Sequence, residues 1–132
     1  MHVINNPDIR KINLYKIARI VYAETYAVSL RVVEALSSMI NNNLKNYSLD
    51  DLVHNTDLFE SLNPKSEHHW ALFVDARNRG FQMCLRTVNR MINGNLPDTC
   101  FGATKFHRDE LLPDWAVARG YIADIDGLLF YL

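Results

Sequence analysis

The feature that most constrains this chain is a helical spacing of apolar residues that begins near Asn13. Positions i, i+3, i+4 and i+7 of this pattern are Leu14, Ile17, Ala18 and Val21. Residues with that spacing share one face of an α-helix, because the helix turns once in 3.6 residues. We therefore predict a helix over residues 13–25, preceded by a loose lead-in over residues 1–12.

Polar residues that favour helix starts define two further helices. Ser29 is a suitable N-cap for a second amphipathic helix, whose apolar face reaches Ile40. Ser48 and Asp51 have the spacing of a capping box and predict the start of a short third helix.

A long helical region is predicted after an irregular loop over residues 55–65. Ser66 would cap this region, Gly80 would break or bend it, and Asn93-Gly94 would end it. Its first apolar stripe would consist of Trp70, Phe73 and Val74, and its second of Phe81, Cys84, Leu85, Val88 and Ile92.

The C-terminal third has the pattern of a small β element. Residues 101–107 are expected to be extended, and residues 113–116 to form a corner. Residues 121–123 would then pair with residues 128–132 across a tight Asp126-Gly127 turn. The expected fold class is α+β and mainly α, with a helical body followed by a small antiparallel β element.

Composition limits the possible partners. A chain of 132 residues and 15.3 kDa suits one domain, which we place at residues 13–132. The net charge of −1 and the scattered basic residues argue against a nucleic-acid partner. We find no signal peptide and no apolar run long enough to span a bilayer, so we expect no membrane insertion and leave the compartment open.

Cysteine and histidine patterns give no metal or nucleophile signature. Cys84 and Cys100 match no zinc spacing, and we expect two unpaired thiols, with a single bridge as the alternative. A Cys84–His107 nucleophilic pair would require the fold to join them, which the apolar helix face around Cys84 argues against. His68 and His69 would point about 100° apart on a helix and could not both coordinate one metal ion.

Glu24 stands three residues after Val21 and so prolongs the apolar face of the first helix. Partial burial and the negative end of the helix dipole would both raise the pKa of its carboxyl group. A carboxylic acid that keeps its proton near neutral pH is what glycoside cleavage requires. The alternative is a helix that frays near Ala23 and leaves Glu24 in water.

Several motifs, in order along the chain, resemble the SleB-like cell wall hydrolases, the spore-cortex-lytic family. The matching pieces are Ile20-Val21-Tyr22-Ala23-Glu24, Ile40-Asn41-Asn42, Phe59, the run from Gly102 to His107, Pro113-Asp114-Trp115-Ala116, and Gly127 before Phe130-Tyr131. The chain departs from the family at Glu60, where members carry a small polar residue, and after Glu24, where members usually carry Gly-Glu.

The resemblance implies a lysozyme-like domain related to lytic transglycosylases, with Glu24 as the catalytic acid. The substrate would be peptidoglycan glycan strands, cut between N-acetylmuramic acid and N-acetylglucosamine, so the site of action would be the cell wall or periplasm. No cofactor or metal is implied.

The carboxylates of the chain leave two chemical routes open. A lytic transglycosylase needs only one acid, here Glu24, whereas glycoside hydrolysis uses a second carboxylate. Asp57 and Glu60, which flank Phe59 in the loop, are the candidates for that second group, with solvated loop charges as the alternative. We favour the route with a single acid.

The remaining predicted site residues would bind sugar. Tyr22, Phe59 and Phe106 could offer flat apolar surface, and Thr104 and His107 could exchange hydrogen bonds. Strand core is the alternative for Phe106, and a structural histidine is the alternative for His107. Trp70 and Trp115 are predicted to be core residues rather than sugar platforms. The rival function is a catalytically silent helical module that binds a glycan or protein partner.

Overall fold

The computed structural model describes residues 6–132, with side chains described from Lys11 onward. Four α-helices precede a three-stranded antiparallel sheet within this part of the chain, which confirms the predicted α+β, mainly α class. None of the helices described there is long and apolar enough to cross a membrane.

The first helix, α1 (Asn6–Thr25), starts earlier than predicted. Residues 6–12 are helical rather than a loose lead-in, while residues 1–5 of that predicted segment lie outside the described residues. The predicted end is confirmed, and Ile17, Ala18 and Val21 are fully buried on the expected face.

The two predicted N-caps are confirmed. Helix α2 (Leu30–Asn43) begins after Ser29, whose hydroxyl accepts a hydrogen bond from the Val32 backbone N–H at 3.1 Å. Helix α3 (Leu49–Leu52) begins with the complete capping box of Ser48 and Asp51. Both caps supply partners for N–H groups that the first helical turn leaves free.

The prediction of one long helix from Ser66 to Ile92 is wrong. The chain instead forms a 3-10 helix at His69–Phe73 and a separate helix α4 at Arg79–Ile92. Asn78 caps α4 by accepting from the Phe81 N–H at 3.0 Å, a start signal that outweighs the apolar spacing further upstream.

The two apolar stripes predicted for that long helix have different surroundings. The second is on the core face of α4, where Phe81, Cys84 and Val88 are fully buried. Trp70 and Phe73 are 64% and 74% exposed, so the prediction that Trp70 is a core residue is wrong.

Gly80 does not break a helix but lies in the first turn of α4, where α4 crosses α1. A Cβ atom at this position would stand 3.0 Å from the Ala27 Cβ and 3.2 Å from the Tyr22 ring. Glycine is therefore the residue that allows the two helices to approach this closely.

The predicted C-terminal hairpin is confirmed, with a later start. Strands β2 (Ala123–Ile125) and β3 (Leu128–Tyr131) pair across Asp126 and Gly127, whose φ angles of 46° and 95° fit a tight hairpin turn. Residue 121 precedes β2. Strand β1 (Lys105–Arg108) pairs with β3, giving the sheet order β1-β3-β2.

One core joins the helices to the sheet. Helix α4 packs against α1 and α2, and the sheet contributes Phe106 and Phe130 from its inner face. The irregular segment that follows α3 carries a 3-10 helix at Glu60–Leu62, and this segment lies against the C-terminal end of α1. That junction between α1, the segment and β1 holds the candidate site.

Candidate active site

Glu24 lies in the last turn of α1 and is 1% exposed. The helix continues through Thr25, so the alternative of a frayed end with Glu24 in water is wrong. The carboxyl group is held where α1, the 3-10 helix Glu60–Leu62 and β1 meet.

Both oxygens of the Glu24 carboxyl group accept hydrogen bonds. The Ser61 backbone N–H donates to Oε2 at 2.9 Å, and Arg108 Nη2 donates to Oε1 at 3.1 Å. The same Nη2 also donates to the Ala23 carbonyl oxygen at 2.6 Å, which fixes the guanidinium across the end of α1.

Burial raises the pKa of Glu24 above its usual range. The charge of Arg108 and the hydrogen bonds from Ser61 lower this pKa, whereas the negative charge of Glu60 raises it. The net direction is upward, because removing the carboxyl group from water outweighs the two donors. Glu24 therefore meets the requirement that a general acid retain its proton at higher pH than an ordinary carboxyl group does.

A cavity of about 270 Å³ lies beside this carboxyl group. Its volume is close to the lower end of the about 300–1,000 Å³ typical of small-molecule sites. The residues that line it are Glu24, Asp57, Leu58, Glu60, Phe106, His107, Arg108, Leu111, Leu112, Pro113 and Trp115.

A second cavity of about 500 Å³ adjoins the first. The two share a wall made of Asp57, Leu58, Phe106 and Trp115. Beyond that wall the lining becomes rich in hydrogen-bonding groups, namely those of Asn43, Asn46, Tyr47, Asn55, Thr104 and Lys105. We call these two adjacent cavities together the groove.

Three of the five predicted sugar-binding residues line this groove. Phe106 lines both cavities and also packs against Phe130 in the core. It therefore has the surroundings expected of a sugar-binding ring on one side and of a strand core residue on the other. Thr104 lines the second cavity.

His107 lines the first cavity, but the fold already uses both of its ring nitrogens. Nδ1 lies 2.7 Å from the Arg108 carbonyl oxygen, and Nε2 lies 2.8 Å from the Tyr131 hydroxyl. These contacts match a structural histidine that donates through Nδ1 and accepts at Nε2.

Phe59 and Tyr22 are not brought to the groove. Phe59 is fully buried in the core beside Phe106, because the loop turns its ring inward. Tyr22 is half-buried beside Gly80 and packs edge-on against Tyr26. Neither ring can offer the groove the flat surface that the sequence predicted.

Both candidate second carboxylates lie at the first cavity. Asp57 is exposed at its rim. Glu60 is more constrained, because Ser66 Oγ donates to its Oε2 at 2.6 Å and its Oε1 faces Arg108 Nε at 3.9 Å. Arg108 thus lies between Glu24 and Glu60.

Sequence reasoning missed Arg108, although a signal was present. Side chains alternate between the faces of a strand, so a residue two positions after a core-facing Phe106 also points inward. A charged residue at such a position requires a buried partner of opposite charge. Glu24, on an apolar helix face, was the other half of that pair.

Trp115 was also misassigned. The prediction of a core residue is wrong, because its ring is only partly buried and lines both cavities. Lys105 Nζ lies 5.4 Å from the centre of this ring, which places a positive charge at the same wall.

Next to the site, Tyr26 connects Arg108 to a histidine. The Arg108 guanidinium carbon lies 5.6 Å from the centre of the Tyr26 ring, and the Tyr26 hydroxyl bonds His68 Nδ1 at 2.5 Å. His68 Nε2 lies 3.0 Å from Glu110 Oε1 and 3.5 Å from Glu67 Oε1. One ligand atom from each of these last three residues lies within 4.8 Å of the others, so this trio could hold a metal ion.

Both cysteines are free and buried, as the expectation of unpaired thiols required. Burial raises the pKa of each thiol to about 12, so neither supplies a thiolate nucleophile near neutral pH. Cys84 belongs to the core face of α4.

Comparisons with models of protein families, with curated proteins and with solved structures find nothing that matches this chain. The likeness to SleB-like hydrolases therefore remains a prediction from sequence motifs, and a function has to be inferred from the geometry around Glu24.

Proposed function

We propose that this chain cleaves the glycan strands of peptidoglycan, with Glu24 as the acid that breaks the glycosidic bond. The observation that carries the proposal is a buried carboxyl group of raised pKa beside a groove. Such a group can protonate the leaving oxygen of a sugar without any metal or nucleotide.

In the first step Glu24 would donate its proton to the glycosidic oxygen as the bond from that oxygen to the anomeric carbon breaks. The carboxylate left behind would accept hydrogen bonds from Arg108 and the Ser61 N–H, which already face its two oxygens. Donors held in place before the reaction stabilise the charge that develops during it.

We favour the transglycosylase route for the second step. The muramic acid 6-hydroxyl would attack the anomeric carbon and give its proton to the Glu24 carboxylate, leaving an anhydro sugar. A single carboxyl group suffices for this route. Hydrolysis with Glu60 or Asp57 as the second carboxylate is the alternative chemistry, since both line the same cavity.

The groove supports a polymeric, sugar-like substrate. An extended lining rich in amide, hydroxyl and ammonium groups suits the many hydroxyl and acetamido groups of a glycan strand, and Trp115 offers a partly exposed ring beside them. Lys105, close to that ring, would favour the carboxylates that muramic acid and its peptide stems carry.

One observation favours the rival, a catalytically silent binding module. Glu24 is only 1% exposed and both its oxygens are already bonded, which is also what a structural ion pair with Arg108 requires. Contact with a substrate oxygen would need the surrounding side chains to shift, as closure on a substrate often causes.

The test compares the wild type with Glu24→Gln in a turbidity assay and a zymogram on purified peptidoglycan. Glutamine keeps the size of the side chain and an acceptor oxygen but has no proton to donate as an acid, so we expect a rate loss of about 100-fold or more. Asp124→Asn, on the exposed side of β2, is the matched control and should retain the wild-type rate.

Mass spectrometry of the released fragments then identifies the chemistry. Anhydro ends indicate transglycosylation, and reducing ends indicate hydrolysis. Equal clearing by the wild type and Glu24→Gln, or no clearing by either folded protein, would reject the enzyme and favour the binding module.

A further inference from the structure

Arg108 Nε and Glu60 Oε1 are buried next to Glu24 and have no hydrogen-bond partner among the described residues. These two atoms face each other at 3.9 Å. A donor and an acceptor at that separation attract electrostatically but form no hydrogen bond. Buried groups left in this state are uncommon in folded proteins and call for an explanation.

The two carboxylates meet different ends of one guanidinium. Glu24 Oε1 accepts from Nη2 at 3.1 Å, whereas Glu60 Oε1 lies opposite Nε. Arg108 itself is 7% exposed, so water screens its charge weakly towards the buried Glu24. The Glu60 side chain is 40% exposed, so its own charge is screened more.

Glu60 is held in this arrangement by its other oxygen. Ser66 Oγ donates to Oε2 at 2.6 Å, so the side chain is restrained from leaving Arg108 for solvent. An anchored carboxylate that does not complete its hydrogen bond to arginine acts as a fixed counter-charge.

We propose that Glu60 is a positioning residue, which faces Arg108 from the Nε end and thereby limits how strongly that guanidinium stabilises the Glu24 carboxylate. This inference rests on the proposed function for its catalytic meaning. Arg108 alone would favour the ionised form of Glu24, which cannot act as an acid. Glu60 opposes that effect in two ways, by sharing the positive charge and by adding a negative one near Glu24.

The other charged and titratable groups around Glu24 are arranged differently. Tyr26, the residue after α1, has the Arg108 guanidinium over its ring and bonds His68, which in turn faces Glu67 and Glu110. Asp57 is exposed at the cavity rim. Among the described residues, Glu60 is the only carboxylate besides Glu24 that has an ion-pair contact with Arg108.

The direct test is an NMR titration of glutamate carboxyl carbons in ¹³C-labelled protein, with the Glu24 signal assigned by its loss in Glu24→Gln. We expect Glu60→Gln to lower the titration midpoint of Glu24 by on the order of one pH unit. Glu60→Asp keeps the negative charge and should return most of that shift. Asp57→Asn removes one charge from the same cavity without touching Arg108, and should move the midpoint less.

The kinetic test uses peptidoglycan clearing as a function of pH. The alkaline limb of the profile, where the acid loses its proton, should move to lower pH in Glu60→Gln. At a pH on that limb, a shift of one unit lowers the rate about tenfold. A merely structural role for Glu60 would change thermal stability and leave both the limb and the midpoint in place.

The proposed function and the proposed role of Glu60 can be rejected independently of each other. An unchanged Glu24 midpoint in folded Glu60→Gln overturns the role of Glu60, and so does an equal shift in Asp57→Asn, which would indicate a general field instead of an effect through Arg108. Absence of peptidoglycan cleavage by the wild type rejects the enzyme, while the NMR titration still decides the role of Glu60.

Discussion

The apolar core around α2 and the Glu24 site are both buried, but the core consists of apolar side chains and the site of charged ones. Helix α2 contributes Val32, Val33 and Leu36 to an apolar interior, where close contact between hydrocarbon groups is sufficient. The site instead brings together the fully buried carboxyl group of Glu24, the partly buried one of Glu60 and the buried guanidinium of Arg108. The first arrangement depends on shape, and the second depends on charge and therefore on pH.

The largest expected effect breaks the site and spares the apolar core. Arg108→Met should destabilise the fold at neutral pH by about 3–5 kcal/mol, because it leaves a buried Glu24 without its cation. Burial already raises the folded-state pKa of Glu24, and removing Arg108 raises it further. Glu24 therefore loses its proton more readily in the unfolded chain than in the folded variant. The free energy of unfolding falls as pH rises from the ordinary pKa of Glu24 in the unfolded chain towards its raised pKa in the folded state.

We also expect the loss of unfolding free energy in Arg108→Met to become smaller in acid. Near pH 4, where Glu24 is mostly protonated in both the folded and the unfolded state, the variant should recover much of its deficit. Urea unfolding at pH 4 and pH 7 measures this difference. A deficit of equal size at both values would mean that lost packing, not an unpaired charge, causes it.

Leu36→Ala is the matching change in the apolar core. A fully buried leucine replaced by alanine loses transfer free energy and leaves a cavity, for about 2–5 kcal/mol. This loss should be the same at pH 4 and pH 7, since no titratable group is involved. Urea unfolding of Leu36→Ala and Arg108→Met at both pH values compares the apolar core directly with the charged site. A pH-dependent loss of stability in Leu36→Ala would contradict the proposed difference between them.

Gly80→Ala tests the contact that positions the end of α1. The added methyl group would meet the Ala27 Cβ at 3.0 Å, and overpacking of this kind costs about 1–3 kcal/mol. Because the strain falls just beyond Glu24, we expect the midpoint of Glu24 in the NMR titration to change as well as the melting temperature. A stabilised variant would show that the two helices separate without cost.

Ser29→Ala should have the smallest effect. It removes the hydroxyl that accepts from the Val32 N–H, and loss of such a cap costs about 1 kcal/mol. The cap lies at the start of α2, so the Glu24 titration should not move. Thermal unfolding and the same NMR experiment check both statements, and a shifted Glu24 midpoint would show that α2 and the site are coupled.

The sequence predicted helices correctly where an N-cap residue was followed by apolar residues with helical spacing. Ser29 and Ser48 start helices as expected, and Asp126-Gly127 turns the hairpin, because each residue type satisfies a local backbone requirement. The region from Ser66 to Asn78 was mispredicted for the opposite reason. Trp70 and Phe73 continue an apolar spacing without being buried, and only the Asn78 cap marks the true start of α4.

The candidate site was predicted in part. Periodicity placed Glu24 on a buried face, and motif order placed Thr104, Phe106 and His107 in the same stretch, all of which line the groove. Phe59 and Tyr22 were predicted to join them but belong to the core and to the crossing of α1 with α4. The direction in which a ring points from a loop or helix depends on contacts with residues far away in the sequence. The spacing of residues along the chain does not reveal those contacts.

By itself, the sequence determined that this chain forms amphipathic helices followed by a β-hairpin, and that a carboxylate continues an apolar helix face. These properties follow from interactions between residues a few positions apart. Only the tertiary structure decided that Arg108 meets Glu24, that Glu60 faces the same guanidinium, and that a groove opens beside them. Those contacts join residues far apart in sequence, and their energies arise from burial and charge, which exist only once the chain has folded.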